Sequence, residues 1–579
     1  MTVVTGGLGG NVSILDILPL IFSRGSEKSL RFVGDGILGV ESRKKPTTFL
    51  RDATGLVREV GFWDSVIYNI LPLAPGVCLA WYVFWIPGTF PGASLVWAMV
   101  AACIFALFIA SSFGLLSMAM PRTAADYVAM SRVLHPAVAL GSSLVLTFSS
   151  LLSAGYWTLA WTTAAITPAL SVVGATTGNP ALVELAGSLA VPPWNFLIGL
   201  LGIALSCVMI ALGMRRLMLF QNILFVVAMI GLVAMGVILL VTPQITFIAR
   251  FNAFAQPFTG QADSYHFYIQ EAAAQGLEYR GTYDLGATIP VIPAIMAFGM
   301  WTWWSVAFSG EIKGAATRRQ WYSTLWAAVI QYAVLIVMVL LIFNTIGEQF
   351  ISSANYLSAV APDKYGLPVS PMLPLLAGII PGGLAIPWFI AITFIAWTPL
   401  VHFIQIVQPI KAIFAWSFDR VIPEKISEVN ERTHSPLIAI IICGVISVGF
   451  FVWSVWGAGF FALLILAGLA GAVVMFLMGL TAIVFPYTKP ELYRNSPAKI
   501  EVAGIPLCTI AGIVTVVGEL FVAYIYVTDP RLGMSEPIQG LALTFGILLA
   551  GIIGYYISRA IRAKQGINLD YLFKEIPPE

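Results

Sequence analysis

Apolar runs of about 20 residues or more alternate with short polar stretches along most of this chain. An α-helix needs about 20 apolar residues to cross the hydrocarbon of a bilayer, and with that gauge the pattern predicts twelve spans. They fall near 62–86, 92–118, 137–169, 194–213, 217–242, 288–310, 323–346, 381–415, 437–456, 459–485, 503–528 and 538–558. The third and eighth exceed one simple crossing, which predicts tilt or extension into water. The fold class expected is an all-α polytopic membrane protein with twelve transmembrane helices.

Composition agrees with this pattern. The 579 residues are 59% hydrophobic and 10% charged, and the mean hydropathy of +0.89 lies far from that of soluble globular domains. With an N-terminus placed inside, 26 of the 30 lysines and arginines fall on the inner side, and only Arg250, Arg280, Lys364 and Arg531 fall outside. That asymmetry predicts a cell-membrane protein with both termini cytoplasmic. The net charge of +2 is spread over short loops, so no nucleic-acid surface is expected. Cys78, Cys103, Cys207, Cys443 and Cys508 all lie in apolar segments without paired or metal-ligand spacing.

The segments outside the spans carry less. Residues 1–61, with RKKP at 43–46 and LVREVGFWD at 56–64, predict a cytoplasmic tail without a removable signal peptide, ending in a short interfacial helix. Residues 559–579 form a second cytoplasmic tail. Two outer loops are long, 243–287 and 347–380, and SYHFYIQEAAAQGLEY in the first predicts a short surface helix, either a lid or a structural loop.

Chemistry is expected where helices are broken. Helix 1 contains NILPLAPG, with Pro72, Pro75 and Gly76 near its middle, and helix 6 carries Pro290, Pro293 and Gly299. These are the first helices of two five-helix blocks, 62–242 and 288–485, followed by helices 11 and 12 at 503–558. An odd number of spans per block inverts the second relative to the first, and matched breaks in inverted halves point to a transporter's central site. Kinks without function are the alternative.

Helix 8 adds Thr393, Thr398, His402, Gln405 and Gln408, of which Thr398, His402 and Gln405 share one face. Such a stripe suits a cation site or plain interhelical hydrogen bonding. Glu519 falls well inside helix 11. It is either a proton or pairing site or an acid near an interface or subunit contact.

Three polar stretches carry a family resemblance. MPRTAADYVAMSRVLHP (120–136), GEIKGAATRRQW (310–321) and IKAIFAWSFDRVIPEKISEVNERTHSPLIA (410–439) resemble segments of the amino acid, polyamine and organocation (APC) transporter superfamily. Ala124 and Ala125 replace two of its glycines, and Gly314 and Ala315 replace an asparagine–proline pair. The likeness runs from about residue 55 to 560.

It implies a 5+5 inverted-repeat fold with two added C-terminal helices, and an amino acid or related amine as small-molecule substrate. The implied substrate-binding positions are Leu73, Ala74, Pro75 and Gly76 in helix 1, and Ala297, Phe298, Gly299 and Trp301 in helix 6. The first set would meet a carboxylate and the second an amino group. Of the family's helix 1 glycine pattern only Gly76 is present, and Pro75 has no N–H to donate. Trp301, Trp303 and Trp304 form a bulky cluster that either lines the pocket, favouring an apolar, aromatic or cationic group, or packs against lipid or other helices.

Helix 5 lacks the lysine frequent in proton-coupled relatives. Three coupling modes stay open: Na+ near Thr398, a proton route through His402 or Glu519, and uncoupled exchange. No organic cofactor or firm metal site is expected, and nothing indicates oligomeric state. No ATP-binding loop, HExxH motif or paired intramembrane aspartates occur, which argues against a pump or a membrane enzyme. The remaining alternative is a sensor or complex subunit that keeps the fold without transport.

Overall fold

In a computed structural model, residues 55–577 are described except 382, 458–459 and 533–536. Twelve helices long and apolar enough to cross a membrane follow one another in the expected order. They are helix 1 (Phe62–Thr89), 2 (Leu95–Ala119), 3 (Pro136–Thr177), 4 (Trp194–Ala211), 5 (Met214–Val241) and 6 (Leu285–Ala307). Helices 7 (Arg318–Thr345), 8 (Ala385–Phe418), 9 (Leu437–Trp456), 10 (Leu466–Thr488), 11 (Leu507–Thr528) and 12 (Ile538–Lys564) complete the set.

Helix 3 is the axis of the packing and lies against helices 8, 9, 10 and 12. Small residues permit this. Gly141 meets the backbone of Leu548 and Gly551 in helix 12, so a Cβ there would collide with main chain, as close crossings in lipid require. Its extra length is a real extension: a π-helical segment, Trp161–Ile166, leads into Thr167–Thr177 beyond the predicted end at 169.

Three expectations need correction or limits. The segment before helix 1 is not helical from Leu56; it runs extended and Val60 bridges to Ile312. The bridge uses both Val60 backbone groups, which bond Glu311 O at 3.0 Å and Lys313 N at 2.9 Å, leaving none for a helical ladder. Helix 11 starts at Leu507 because Glu501–Val502 and Ile505–Pro506 pair as a hairpin. The RKKP stretch and the rest of 1–54 lie outside the described residues.

The long loops are ordered as expected of SYHFYIQEAAAQGLEY, and further. Helices Gln244–Thr259, Ser264–Ala274 and Glu348–Val360 are joined by packed rings, with Phe350 stacked on Tyr265 (4.4 Å, 7°).

The opposite face is tied by charge. Arg132 grips Asp419 with two bonds of 2.7 and 2.9 Å, Lys411 pairs with Glu311, and all four are buried. The C-terminal segment closes over the first pair: Arg132 Nε donates to Glu575 O at 3.3 Å, and its guanidinium sits 4.9 Å from the Phe573 ring centre. Removing one partner of such a pair leaves an uncompensated buried charge.

Asp126 belongs to the same layer, in the short helix Ala125–Val133 between spans 2 and 3. Burial pushes its carboxyl up to about 6, although its own N–H and that of Tyr127 favour the charged form. A folded value above the unfolded one means that folding retains a proton, so this group's stabilisation is complete below the ordinary carboxylate range and is lost as pH rises through about 6. Asp126→Asn is expected to unfold at higher temperature than the parent near pH 8, by up to about 3 kcal/mol, with the gap closing toward about pH 4. Thermal unfolding in detergent across that range measures it; an equal gap at both ends would remove Asp126 from the account.

Candidate functional site

The break in helix 1 is a short turn between two half-helices, Phe62–Ile70 (1a) and Pro75–Thr89 (1b). The residue types explain where it falls. Pro72 and Pro75 have no N–H, and Pro75 occupies the first position of 1b, where an intrahelical donor is not needed. Pro75 therefore starts a helix instead of interrupting one. Ala74 caps it at φ +42°, a left-handed conformation that an L side chain adopts only at a cost. The N–H of Gly76 and the carbonyls of Pro72 and Leu73 make no hydrogen bond among the described residues. Gly76 is needed because a Cβ would run into the Trp397 indole of helix 8.

Helix 6 is broken in the matching place. Half-helix 6a (Val291–Gly299) ends at Met300, and a 3-10 turn (Trp304–Ala307) follows. Three of the backbone groups released here are taken up by side chains. Gln331 Nε2 donates to Gly299 O at 3.0 Å, Trp301 Nε1 to Ala297 O at 2.9 Å, and Ser305 N to Asn69 Oδ1 at 2.7 Å. The carbonyl of Phe298 has no such partner. Tyr82 and Tyr526 hydroxyls add bonds to Ile295 O (2.8 Å) and Pro293 O (3.0 Å), holding 6a from helices 1b and 11.

A small cavity of ≈ 20 Å³ lies between the breaks, room for about one water. Its walls are Pro72 from helix 1, Ser149, Ser153, Tyr156 and Trp157 from helix 3, and Ala297, Phe298, Trp301 and Trp304 from helix 6; Gln405 of helix 8 and Ala467 and Gly468 of helix 10 complete them. No charged side chain takes part. Trp304 Nε1 is anchored on Ile404 O at 3.1 Å, and Trp303 stacks on Phe113 (3.6 Å, 13°), away from lipid.

The positions named from sequence divide accordingly. Ala297, Phe298 and Trp301 line the cavity, whereas Leu73, Ala74, Pro75, Gly76 and Gly299 form the breaks beside it without reaching its walls. On helix 8 only Gln405 reaches it. Thr398 is fully buried and its hydroxyl has no partner. His402 Nδ1 lies 2.8 Å from Thr158 Oγ1, whose own proton is directed to Ala154 O at 2.6 Å. Nδ1 is therefore the protonated nitrogen, and Nε2 presents an unpaired lone pair. Thr393 is occupied by its own helix, bonding Phe389 O and Ile390 O. Glu519 is elsewhere: helix 11 packs on helices 2 and 10 and supplies nothing to the walls.

Sequence reasoning missed Asn69, Gln331, Ser149, Ser153 and Thr158. Asn69 and Gln331 had a signal, since each is an amide inside an otherwise apolar run. The helix 3 hydroxyls had none, because serine in a membrane helix is usually satisfied by the preceding turn.

Twelve spans define a multi-pass membrane protein, and two matched helix breaks flank a small cavity within it. The family described as Amino acid permease matches residues 83–552, and the chain belongs to it, as an APC superfamily amino acid permease. That family moves amino acids or related compounds across membranes. The matched region begins inside half-helix 1b, so the turn at 71–74 precedes it. A search of curated proteins gives no match.

A Cβ at Gly299 would overlap the Tyr332 hydroxyl. Gly299→Ala is expected to lower stability by about 1–3 kcal/mol, and Tyr332→Phe in the same chain to restore part of it. A double-mutant cycle of thermal unfolding measures the coupling; strict additivity would show that the two do not touch.

Proposed function

We propose that the protein is a secondary transporter that moves an amino acid or related amine with an uncharged side chain by alternating access. The observation that carries this reading is a cavity bounded by both helix breaks and free of charged side chains. The unpaired N–H of Gly76 at the start of 1b suits a carboxylate, and the unpaired carbonyl of Phe298 at the end of 6a suits an ammonium group. A charged side chain would be buried without a partner among Trp157, Trp301 and Trp304, at a cost of several kcal/mol. Apolar and aromatic side chains fit these walls, and an amine has cation-π faces available.

The cavity holds about one water, so its walls must part to admit a substrate. The face carrying the ion pairs is read as cytoplasmic from the excess of basic residues in its loops, with both termini on that side. Thr398, with a buried hydroxyl free of its own helix, is the candidate Na+ ligand on helix 8, and the unpaired Nε2 of His402 is a candidate proton acceptor.

Purified protein should unfold at higher temperature in the presence of a neutral amino acid, because specific binding stabilises the folded state. The same compound should undergo counterflow in proteoliposomes, while dibasic and acidic amino acids should do neither. Absence of flux across a broad panel of amino acids and amines would favour a non-transporting subunit. If Na+ enhances that ligand stabilisation, Thr398→Ala should abolish the enhancement; an unchanged response would make Thr398 structural.

A further inference from the structure

Glu519 is the one carboxyl that lies within a membrane-spanning helix away from its ends. It sits ~18 Å along the axis from Leu507 and ~14 Å from Thr528. Its side chain is 1% exposed, and neither Oε1 nor Oε2 has a hydrogen-bond partner.

The surroundings supply no counter-charge. Helix 2 faces helix 11 with Cys103 as its sole titratable group, and half-helix 6a has none. Helix 10 has only Tyr487, near its end, and helix 12 has Tyr555, Tyr556, Arg559, Arg562 and Lys564 toward its C-terminus. On helix 11 itself Cys508, Tyr524 and Tyr526 are titratable, and the Arg531–Asp529 pair lies beyond its end. One turn away, Thr515 Oγ1 is engaged with Ser112 Oγ at 3.0 Å. An ionised carboxylate here would be uncompensated at a cost of several kcal/mol, so Glu519 carries its proton in this conformation.

A neutral acid that makes no hydrogen bond contributes nothing here that glutamine or leucine would not, so its acidity has a use only in another conformation. The route to one is visible. Tyr526, two turns along the same face, bonds Pro293 O and ties helix 11 to half-helix 6a. Displacement of 6a breaks that tie and opens the seam beside Glu519.

We propose that Glu519 is a proton-binding site of the transport cycle, holding H+ as a carboxylic acid in the closed conformation and releasing it to water as a carboxylate when 6a moves. This rests on the transport reading above. The site stands behind the substrate cavity, so proton and substrate are linked through 6a and not by contact.

The test uses proteoliposomes with a neutral amino acid that undergoes counterflow. One unit of pH gradient drives at most about tenfold accumulation per proton carried. The parent protein should show such gradient-driven accumulation together with substrate-linked acidification. Glu519→Gln should lose both while counterflow stays within about twofold, a difference far below the 1.4 kcal/mol of a tenfold change. Accumulation by Glu519→Gln equal to the parent's, or a parent indifferent to the pH gradient, would overturn the proposal.

A second measurement covers failure of the variant to fold. Dicyclohexylcarbodiimide adds to protonated carboxyls in apolar surroundings, giving an acylurea without a leaving group. It should modify Glu519 in the parent, as located by mass spectrometry, and block gradient-driven uptake. No adduct at Glu519 would overturn the proposal as well. A parent that performs no counterflow at all would instead count against the transport reading.

Discussion

The rest of this structure depends on one requirement: a backbone group freed inside a membrane must find a partner within the protein. Breaking helices 1 and 6 frees such groups near mid-depth, and the surrounding bundle is arranged to answer them. Asn69 from 1a accepts from Ser305 N, and Gln331 from helix 7 donates to Gly299 O. Tyr82 and Tyr526 reach 6a from opposite sides. Among the described residues, the groups left without a bond include the N–H of Gly76 and the carbonyls of Pro72 and Leu73 at one break and the carbonyl of Phe298 at the other.

Legibility in the sequence followed the strength of each physical signal. Twelve spans could be placed closely because hydropathy over 20 residues is a large, local quantity. The two breaks were legible because proline and glycine punctuate a helix wherever it is. The sense of Pro75 was not. Read as a missing donor it argues against the site, whereas as the first residue of 1b it marks where the half-helix begins. That distinction depends on the left-handed turn at Ala74, which no alanine announces. Likewise Thr398, His402 and Gln405 share a helical face by spacing, yet only Gln405 meets the cavity. Helical periodicity gives a direction around one axis; which neighbour stands there is set by long-range packing.

The distribution of buried charge gives the bundle two unlike ends. On the face with the described C-terminal segment, Arg132 and Asp419 and then Lys411 and Glu311 are desolvated and paired. The other face is closed by apolar and aromatic packing around Tyr265 and Phe350. Ion pairs and ring stacks answer differently to water: a hydrated ion pair weakens towards the surface value of about 1 kcal/mol or less, whereas an exposed aromatic cluster continues to favour reburial. Opening the charged face therefore costs mainly desolvation balance, and opening the other costs apolar exposure. The two faces of the bundle are therefore held by different kinds of interaction.

The cavity lies between helices 1, 3, 6, 8 and 10. Trp301 and Trp304 wall it, each tied by an indole N–H to a carbonyl, Ala297 O in helix 6 and Ile404 O in helix 8. Trp304 therefore cannot leave the wall without breaking its bond to Ile404 O, which Tyr68 Oη also reaches at 3.4 Å, on the helix whose next residue, Gln405, faces the cavity. Trp301, by contrast, lies just past the end of 6a and is tied back to it through Ala297 O. Helix 6 thus has one tryptophan tied to 6a and one tied to helix 8. Any separation of helices 6 and 8 would have to break the Trp304–Ile404 bond or carry the Trp304 ring along with helix 8.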